Sequence, residues 1–494
     1  MTLPTEVYSA AAIRQLERDA VGAGIAGYTL MQRAGAAALG CIRQRWPAAR
    51  RLAVVAGTGN NGGDGLVLAR LAAAQGIQAQ VLLVGEVDAI RGEAAEALRD
   101  LRAAGLDVHP FDASRLKGSD VVVDALLGIG VRAPLQPAWC AAIEAMNACG
   151  VQVFSLDLPS GLSPDSGRAL PAVKATATLT FLGLKQGLFL GEGPGHAGAV
   201  DFDALGTASA AASVLPSMRL LDEGCLRAAL APRQRHSHKG LFGRVLIIGG
   251  GAGMAGAVRM AGEAALRVGA GLVTVASRAE HLGVVVGTRP ELMFLAVEHG
   301  TDLPAALEQA DVIAIGPGLG RSEWARGLLR SVLTGTRTGQ RLVLDADALN
   351  LVAEEGALRR DDWILTPHPG EAARLLGTTT GAIQADRLAA LGELVRSRGG
   401  IVVLKGAGTL VGRSGEVPRL CRHGNAGMAV PGMGDVLTGA IAGLLAQCPD
   451  AFNATSAAVY AHAVAGDDCA RLGIRGILAL DVAAQLRAVL APLP

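Results

Sequence analysis

The chain has 494 residues, 50% hydrophobic and 18% charged. That is enough apolar material for two or more buried cores, and it excludes a disordered chain. A formal net charge of +1 offers no basic field for nucleic acid.

In chain order, short apolar runs that read as buried strands alternate with longer amphipathic stretches that read as helices. The first half carries RLAVVAG (51–57), AQVLLVG (79–85), VVVDALLG (121–128), VQVFSLDLP (151–159) and ATLTFLG (177–183). This is the pattern of βαβ units and of a parallel sheet covered on both faces. An Ala/Ser-rich stretch broken by Pro216, residues 207–224, reads as the linker. The expected domains are therefore 1–215 and 225–494, each a reasonable size for one α/β domain. The second half repeats the style with RVLIIGGG (244–251), GLVTVAS (271–277), DVIAIGPGLG (311–320), RLVLDADAL (341–349), WILTPHPGE (363–371) and GIVVLKGAGTLV (400–411). The halves share no obvious motif, so no duplication is read.

In VVAGTGNNGGDGLVLAR (54–70), Gly57, Gly59 and Gly62 fit G-x-G-x-x-G. As a dinucleotide-binding turn the stretch is poor. Asn60, Asn61 and Asp64 crowd a loop that should be small and apolar, and an acidic residue would repel pyrophosphate. No lysine is present for a P-loop. A plain strand-to-helix turn would need neither two Asn nor an Asp. Amide and carboxylate oxygens suit a hard cation or a hydroxylated ligand, and the glycines would let the backbone approach it.

Two more strand ends carry the same chemistry. Asp124 is followed by Gly128 and Gly130, and Asp157 by Pro159, Ser160 and Gly161. Ligands of open parallel sheets bind beyond the carboxyl ends of the strands, so Asn61, Asp124, Asp157 and Ser160 are expected around one crevice. Asp157 is the candidate acid/base and Lys185, in TLTFLGLKQG, its candidate partner. The alternatives are a surface role for Lys185 and a structural one for Asp124.

GTGNNGGDG, DALLGIG and LDLPSG, in this order, resemble the NAD(P)H-hydrate epimerase domain over roughly residues 5–210. LMQRAG resembles that family's N-terminal helix, with Gln32 where Glu is expected. The resemblance implies a Rossmann-like parallel-sheet sandwich and a potassium ion held by Asn61, Asp124 and Ser160. It implies a hydrated dinucleotide held by Asn60, Asn61, Gly62, Gly63 and Asp64, by Gly128, Ile129, Gly130, Val131, Arg132, Ala133 and Pro134, and by Asp157. The substrate carries a hydroxyl on C6 of the nicotinamide ring. Inverting that centre requires proton movement, through ring opening or transient dehydration.

In the second half, Gly251, Gly253 and Gly256 give another G-x-G-x-x-G, and GLVTVAS leads into Arg278, so a NADP-type Rossmann unit is one local reading. HGNAGMAVPGMGDVLTGAIAGLLAQ (423–447) is more telling. A glycine-rich loop, Pro431 to Gly434, enters an amphipathic helix. Its N–H groups and the helix dipole would form an anion site. Asp435, in the first turn, could act on a hydroxyl beside a bound phosphate. This G-x-G-D arrangement resembles ribokinase-like enzymes. His368 and Glu371 end a strand near the expected cleft. Lys405, Gly406, Gly408 and Thr409 offer a cradle for nucleotide phosphate. Gly316, Gly318 and Gly320 would allow close approach of a ligand to the backbone.

HKG-x-x-G, GPGLG, DADALN, PHPGE, KG-x-x-T and G-x-GD, in this order, resemble the ADP-dependent NAD(P)H-hydrate dehydratase domain over roughly residues 225–490. The implied fold is ribokinase-like α/β. Ala257, Gly318 or Gly320, His368 and Asp435 would contact the hydrated dinucleotide. Lys405, Gly406, Ala407, Gly408, Thr409 and Gly434 would hold the adenine nucleotide. Pro431 departs from the family, which usually has Gly there, and it removes one N–H. Asp435 would take the proton of the C6 hydroxyl as it attacks the terminal phosphate of ADP, with Mg2+ neutralising the diphosphate.

The expected protein is thus an epimerase fused to a dehydratase, a metabolite-repair enzyme. A ribokinase-like small-molecule kinase and a non-catalytic first half that binds nucleotides or a partner are the alternatives. His109, His196, His281, His299, His423 and His462 lack metal-ligand spacing and read as surface or satisfied core residues. His236 and His238 read as part of the HKG loop. The seven cysteines form no C-x-x-C pair and read as free thiols. The first residues lack the pattern of a signal peptide and no long apolar span occurs. A cytoplasmic homo-oligomer that binds neither membrane nor nucleic acid is expected.

Overall fold

The computed structural model describes residues 3–131, 133–207 and 214–491. The chain divides into two compact units, Met1–Arg219 and Leu220–Pro494.

In the first unit, β1 (Glu6–Tyr8) is followed by β2 (Arg51–Ala56), β3 (Gln78–Leu83), β4 (Val108–Pro110), β5 (Val121–Ala125), β6 (Gln152–Leu156), β7 (Ala177–Phe181), β8 (Leu184–Lys185), β9 (Ala199–Asp203) and β10 (Met218–Leu220). Seven of these form a parallel sheet in the order β4-β3-β2-β5-β6-β7-β9. Alternate residues face opposite sides. Val54, Val123 and Phe154 pack in one core, and Val55, Val122 and Val153 in another. Burial on both faces explains why these strands read as unbroken apolar runs.

The strand order reverses between β2 and β5. Such a switch point leaves a crevice at the carboxyl ends of the two strands, where the 57–60 loop and the 126–131 turn emerge. Register sets Asp124 beside Val55 and Ser155. The short β1 pairs with β8 and places Tyr8 opposite Lys185, while residues Met218 and Arg219 of β10 pair with its other edge.

The second unit holds β11 (Arg244–Ile248), β12 (Leu272–Ser277), β13 (Met293–Ala296), β14 (Val312–Ile315), β15 (Arg341–Leu344), β16 (Trp363–Leu365), β17 (Ile401–Leu404), β18 (Thr409–Arg413) and β19 (Arg419–Cys421). Their order is β13-β12-β11-β14-β15-β16-β17-β18-β19, parallel through β17 and antiparallel beyond it. GIVVLKGAGTLV, expected as one strand, is a hairpin. Gly406 and Gly408 take φ of 133° and 67°, a conformation glycine adopts freely, and the chain doubles back there. The Ala255–Arg267 and Met433–Leu445 helices cross at near backbone contact. A Cβ on Gly439 would lie 1.9 Å from the Ala261 carbonyl oxygen. No helix among the described residues is long and apolar enough to cross a membrane.

Candidate active sites

The first unit contains a pocket of about 520 Å³ at the switch point. Thr58, Gly59, Asn60, Asn61 and Asp64 line it from the β2 side, Gly128, Ile129 and Gly130 from the β5 side, and Asp157 and Lys185 complete it. Asp124 and Ser160 lie outside the lining, fully buried. Arg132 falls outside the described residues, and Val131, Ala133 and Pro134 do not line the pocket.

The glycines of the motif act otherwise than expected. A Cβ on Gly57 would meet the Leu126 carbonyl oxygen at 2.1 Å, on Gly62 the Gly57 carbonyl oxygen at 1.9 Å, and on Gly63 the Met31 side chain at 2.5 Å. They allow protein to approach protein, so Gly62 and Gly63 turn inward. Gly59 alone of the three motif glycines has open space beside it, and it caps the Asn60–Ala74 helix at the pocket wall.

Asn61 is buried, and neither its amide oxygen nor its nitrogen has a partner. An unmade buried hydrogen bond is costly, so these atoms are suited to a ligand. Asp124 is fully enclosed. It accepts from Ser155 Oγ at 2.7 Å, and from Ser160 N at 2.9 Å and Oγ at 2.5 Å. Burial raises its pKa against those hydrogen bonds. Oxygens of one amide, one carboxylate and one hydroxyl fit a hard monovalent cation. No group of three or more His, Cys, Asp or Glu able to hold a metal occurs among the described residues.

Asp157 directly follows β6 with φ 66°, a strained conformation for a residue with a Cβ. Its backbone N–H donates to Leu179 at 2.8 Å, and its carboxylate is ion-paired with Lys185. Lys185 is 1% exposed, not a surface lysine, and also donates to the Phe181 carbonyl at 2.6 Å. A Cβ on Gly128 would lie 3.5 Å from both Asn61 Cβ and Asp157 Oδ2, so the two residues flank this glycine. Glu17, Arg14 and Glu93, none marked in the sequence, also line the pocket. Burial, with Asp157 and Glu17 nearby, holds the Asp64 carboxyl well above the usual range. Burial, then the charges of Asp157 and Glu93, raise Glu17.

In the second unit the strand-end loops also grip one another. Gly316 and Gly318 take φ of 131° and 56°. Cβ atoms there would lie 1.8 Å from the Asp345 carbonyl oxygen and 3.0 Å from Ala257 Cβ. Gly320 keeps open space, and its N–H donates to Asp347 at 2.9 Å.

Asp345, after β15, is the hub and was not singled out in the sequence. It is buried and accepts from Lys405 Nζ at 2.6 Å, Thr366 Oγ1 at 2.7 Å and Thr438 Oγ1 at 2.7 Å. Burial would raise its pKa, but the Lys405 charge and these hydrogen bonds outweigh it and hold the carboxyl below the usual range. A Cβ on Gly434 would stand 3.4 Å from Lys405 Nζ, so the helix N-terminus lies directly over the pair. Gly432 caps that helix with φ 91°. Asp435 sits in its first turn, lifted to about 7 by burial and by Asp345, against Lys405.

Glu371 is buried 3.9 Å from Lys405 Nζ, and burial lifts it to about 7 against that charge. His368 caps the Pro369–Leu376 helix. Its Nδ1 accepts from the N–H groups of Gly370 at 3.0 Å and Glu371 at 3.3 Å, which puts the ring proton on Nε2, 3.2 Å from Glu371 Oε1. Burial and the nearby Lys405 and Arg374 charges lower its pKa, so the ring stays neutral. His462, expected on the surface or satisfied in the core, is buried with Nε2 unpartnered. Burial pushes it down to about 4.

Two α/β units, each with a lysine–aspartate pair at the carboxyl ends of a parallel sheet and one partner of each pair buried, define a two-site enzyme, the second site ribokinase-like. A family model described as YjeF-related protein N-terminus matches residues 27–187, and one described as NAD(P)H-hydrate dehydratase matches residues 245–487. The Bifunctional NAD(P)H-hydrate repair enzyme Nnr of Coxiella burnetii is 46% identical over 99% of this chain and 100% of its own length. The enzyme of the same name from Escherichia coli is 42% identical over 100% of this chain and 95% of its own. A crystal structure of a ribokinase-like superfamily protein from Enterococcus faecalis matches at 34% identity and a TM-score of 0.53, covering 56% of this chain and 96% of that one. The chain belongs to the bifunctional NAD(P)H-hydrate repair enzymes.

Proposed function

We propose that the first unit interconverts the R and S epimers of hydrated NADH and NADPH, and that the second dehydrates the S form at the expense of ADP, giving AMP and phosphate. The fusion is economical, because the epimerase converts the epimer the dehydratase does not accept into the one it does.

The observation that carries the reading is the position of Asp435. Its carboxyl, lifted to about 7, stands in the first turn of a glycine-capped helix above the Lys405–Asp345 pair. A base of that strength can accept a hydroxyl proton near neutral pH. The C6 hydroxyl is a poor leaving group. Asp435 takes its proton, and the oxygen attacks the terminal phosphorus of ADP as the bond to AMP breaks. The phosphate ester then leaves C6, driven by the ring-nitrogen lone pair, and loss of a proton from C5 restores NAD(P)H. Lys405, the 406–409 loop and Gly434 hold the nucleotide, while Ala257, Gly318 or Gly320 and His368 hold the hydrate. Mg2+ entering with the nucleotide would neutralise its diphosphate.

In the first unit, Asp157 moves the proton at the C6 hydroxyl, oriented by Lys185. Asn61, Asp124 and Ser160 would hold a potassium ion, which would add positive charge beside the bound dinucleotide. The unpartnered Asn61 amide supports this assignment.

The test is recovery of dihydronicotinamide absorbance from a mixture of hydrate epimers, with ADP, with ATP and with neither. ADP-dependent recovery of both epimers is expected, the slower phase requiring potassium and vanishing in Asn61→Ala. Accumulation of a stable phosphorylated product would favour a kinase and overturn the dehydratase reading.

A further inference from the structure

Arg387 opens the Arg387–Arg398 helix and is 4% exposed. Its Nη1 donates to Gln384 Oε1 at 2.8 Å. Its Nη2 donates to the carbonyl oxygens of Leu404 at 3.1 Å, Lys405 at 3.2 Å and Gly408 at 3.3 Å. Its Nε is buried without a partner. All four acceptors are neutral, and burial alone accounts for a guanidinium pushed down to about 10. Glu263, by contrast, gathers three arginines around one carboxylate. A buried cation lacking a carboxylate is costly, and the loop it holds is the K-G-A-G-T stretch.

Carbonyl clamping by itself marks no site. Arg398, at the far end of the same helix, also holds the carbonyls of Gly356, Leu358 and Leu375. Arg387 differs in what its grip does to the loop. A trans peptide points its N–H opposite to its C=O. With the Lys405 and Gly408 carbonyls drawn to the guanidinium, the N–H groups of Gly406 and Thr409 point away from it. The Lys405 N–H is engaged with Pro367 at 2.9 Å. Gly406 packs directly on the arginine, and a Cβ there would lie 3.2 Å from Nη1. Backbone N–H groups turned outward over a fixed positive charge make an anion site.

We propose that Arg387 is a positioning residue for the nucleotide phosphates, fixing the peptide orientations of the 404–408 loop and placing an uncompensated positive charge behind it. The inference rests on the reading of this loop as the ADP cradle. The counterion that Arg387 lacks among the described residues arrives with the substrate.

The experiment compares ADP and adenosine binding by calorimetry, with steady-state kinetics, in the full chain and in Arg387→Met and Arg387→Lys. Adenosine reports base and ribose contacts, and ADP adds the phosphates. Arg387→Met is expected to weaken ADP at least about tenfold and adenosine less than about threefold. KM for ADP should rise while kcat and KM for the hydrate hold within about threefold. Arg387→Lys, which keeps the charge but cannot span three carbonyls, should fall between. Equal weakening of ADP and adenosine, or no change in either, would overturn the proposal. If Arg387→Met does not fold, Arg387→Lys decides by the same comparison. Absence of ADP binding in the unaltered chain would overturn the cradle reading itself, a result distinct from a defect confined to the variants.

Discussion

Lys185 closes an ion pair with Asp157 inside the wall of the first pocket, and Asp157 holds that position with φ 66°. Removing Lys185 strands the Asp157 carboxylate in the pocket wall, 14% exposed, which costs about 1–3 kcal/mol. Lys185→Met is expected to lose about that much in urea unfolding, and to slow epimer exchange by about 100-fold or more. The double variant Lys185→Met, Asp157→Asn should regain most of the stability and none of the rate. A double variant as unstable as Lys185→Met would refute the ion-pair account.

Gly59 and Gly62 belong to one motif and predict opposite outcomes. Gly59→Ala meets nothing within 4 Å. It should fold with only a small loss of stability from the poorer helix cap, under about 1 kcal/mol, and alter KM for the hydrate, since its Cβ enters the pocket lining. Gly62→Ala would place a Cβ 1.9 Å from the Gly57 carbonyl oxygen and should lower stability by about 1–3 kcal/mol. Thermal melts of the two variants distinguish the cases.

The dehydratase should gain activity as pH rises through about 7, where Asp435 loses its proton. Glu371 titrates in the same window, so both carboxyls contribute to the limb, and Glu371→Gln should narrow it to one proton. Stability runs the other way. A carboxyl raised in the folded state stabilises at pH below its usual 3.8, and that contribution is lost as pH rises through the folded value. Asp435→Asn should therefore raise the melting temperature at pH 8 relative to the unaltered chain, with no gain at pH 4, while lowering kcat by about 100-fold or more. A kcat within a few-fold of the unaltered chain would remove Asp435 from the chemistry.

His462 predicts an acid-sensitive second unit. The folded ring is depressed from 6.5 to about 4, so its contribution is present above the unfolded value and is lost as pH falls toward 4. The loss between pH 7 and pH 4 amounts to about 3 kcal/mol. His462→Gln should flatten that part of the stability profile. An unchanged profile in denaturant titrations would show that the ring is solvated.

The parallel strands were legible because burial on both faces leaves short unbroken apolar runs, and Asp124 and Asp157 were legible because they stand at the ends of such runs, with Asn61 and Ser160 a few residues beyond. Asp345 stood in the same kind of place, in LDADALN, yet its importance comes from Thr366, Thr438 and Lys405, which lie far from it in sequence and meet it only in the fold. Glu17 and Arg387 could not be found this way. Each is one charged residue in an amphipathic helix, and nothing local separates a residue turned into a site from one turned to water. That Gly57, Gly62, Gly63, Gly316 and Gly318 face protein rather than ligand was not legible, because spacing reveals where a Cβ is missing, not which neighbour fills the gap.

The crowding around Gly57, Gly62 and Gly63 has a dynamic consequence. A glycine with empty space beside it loosens a chain, but one pressed against a carbonyl oxygen leaves the loop almost nowhere to go. The 57–63 turn is in this sense a stiffener, and the Asn61 amide is held ready before any ligand arrives. The Gly57 N–H, which donates to Ala125 at 3.0 Å, and the Gly63 N–H, which donates to Gly59 at 3.0 Å, should exchange with deuterated solvent about as slowly as amides of β2 itself.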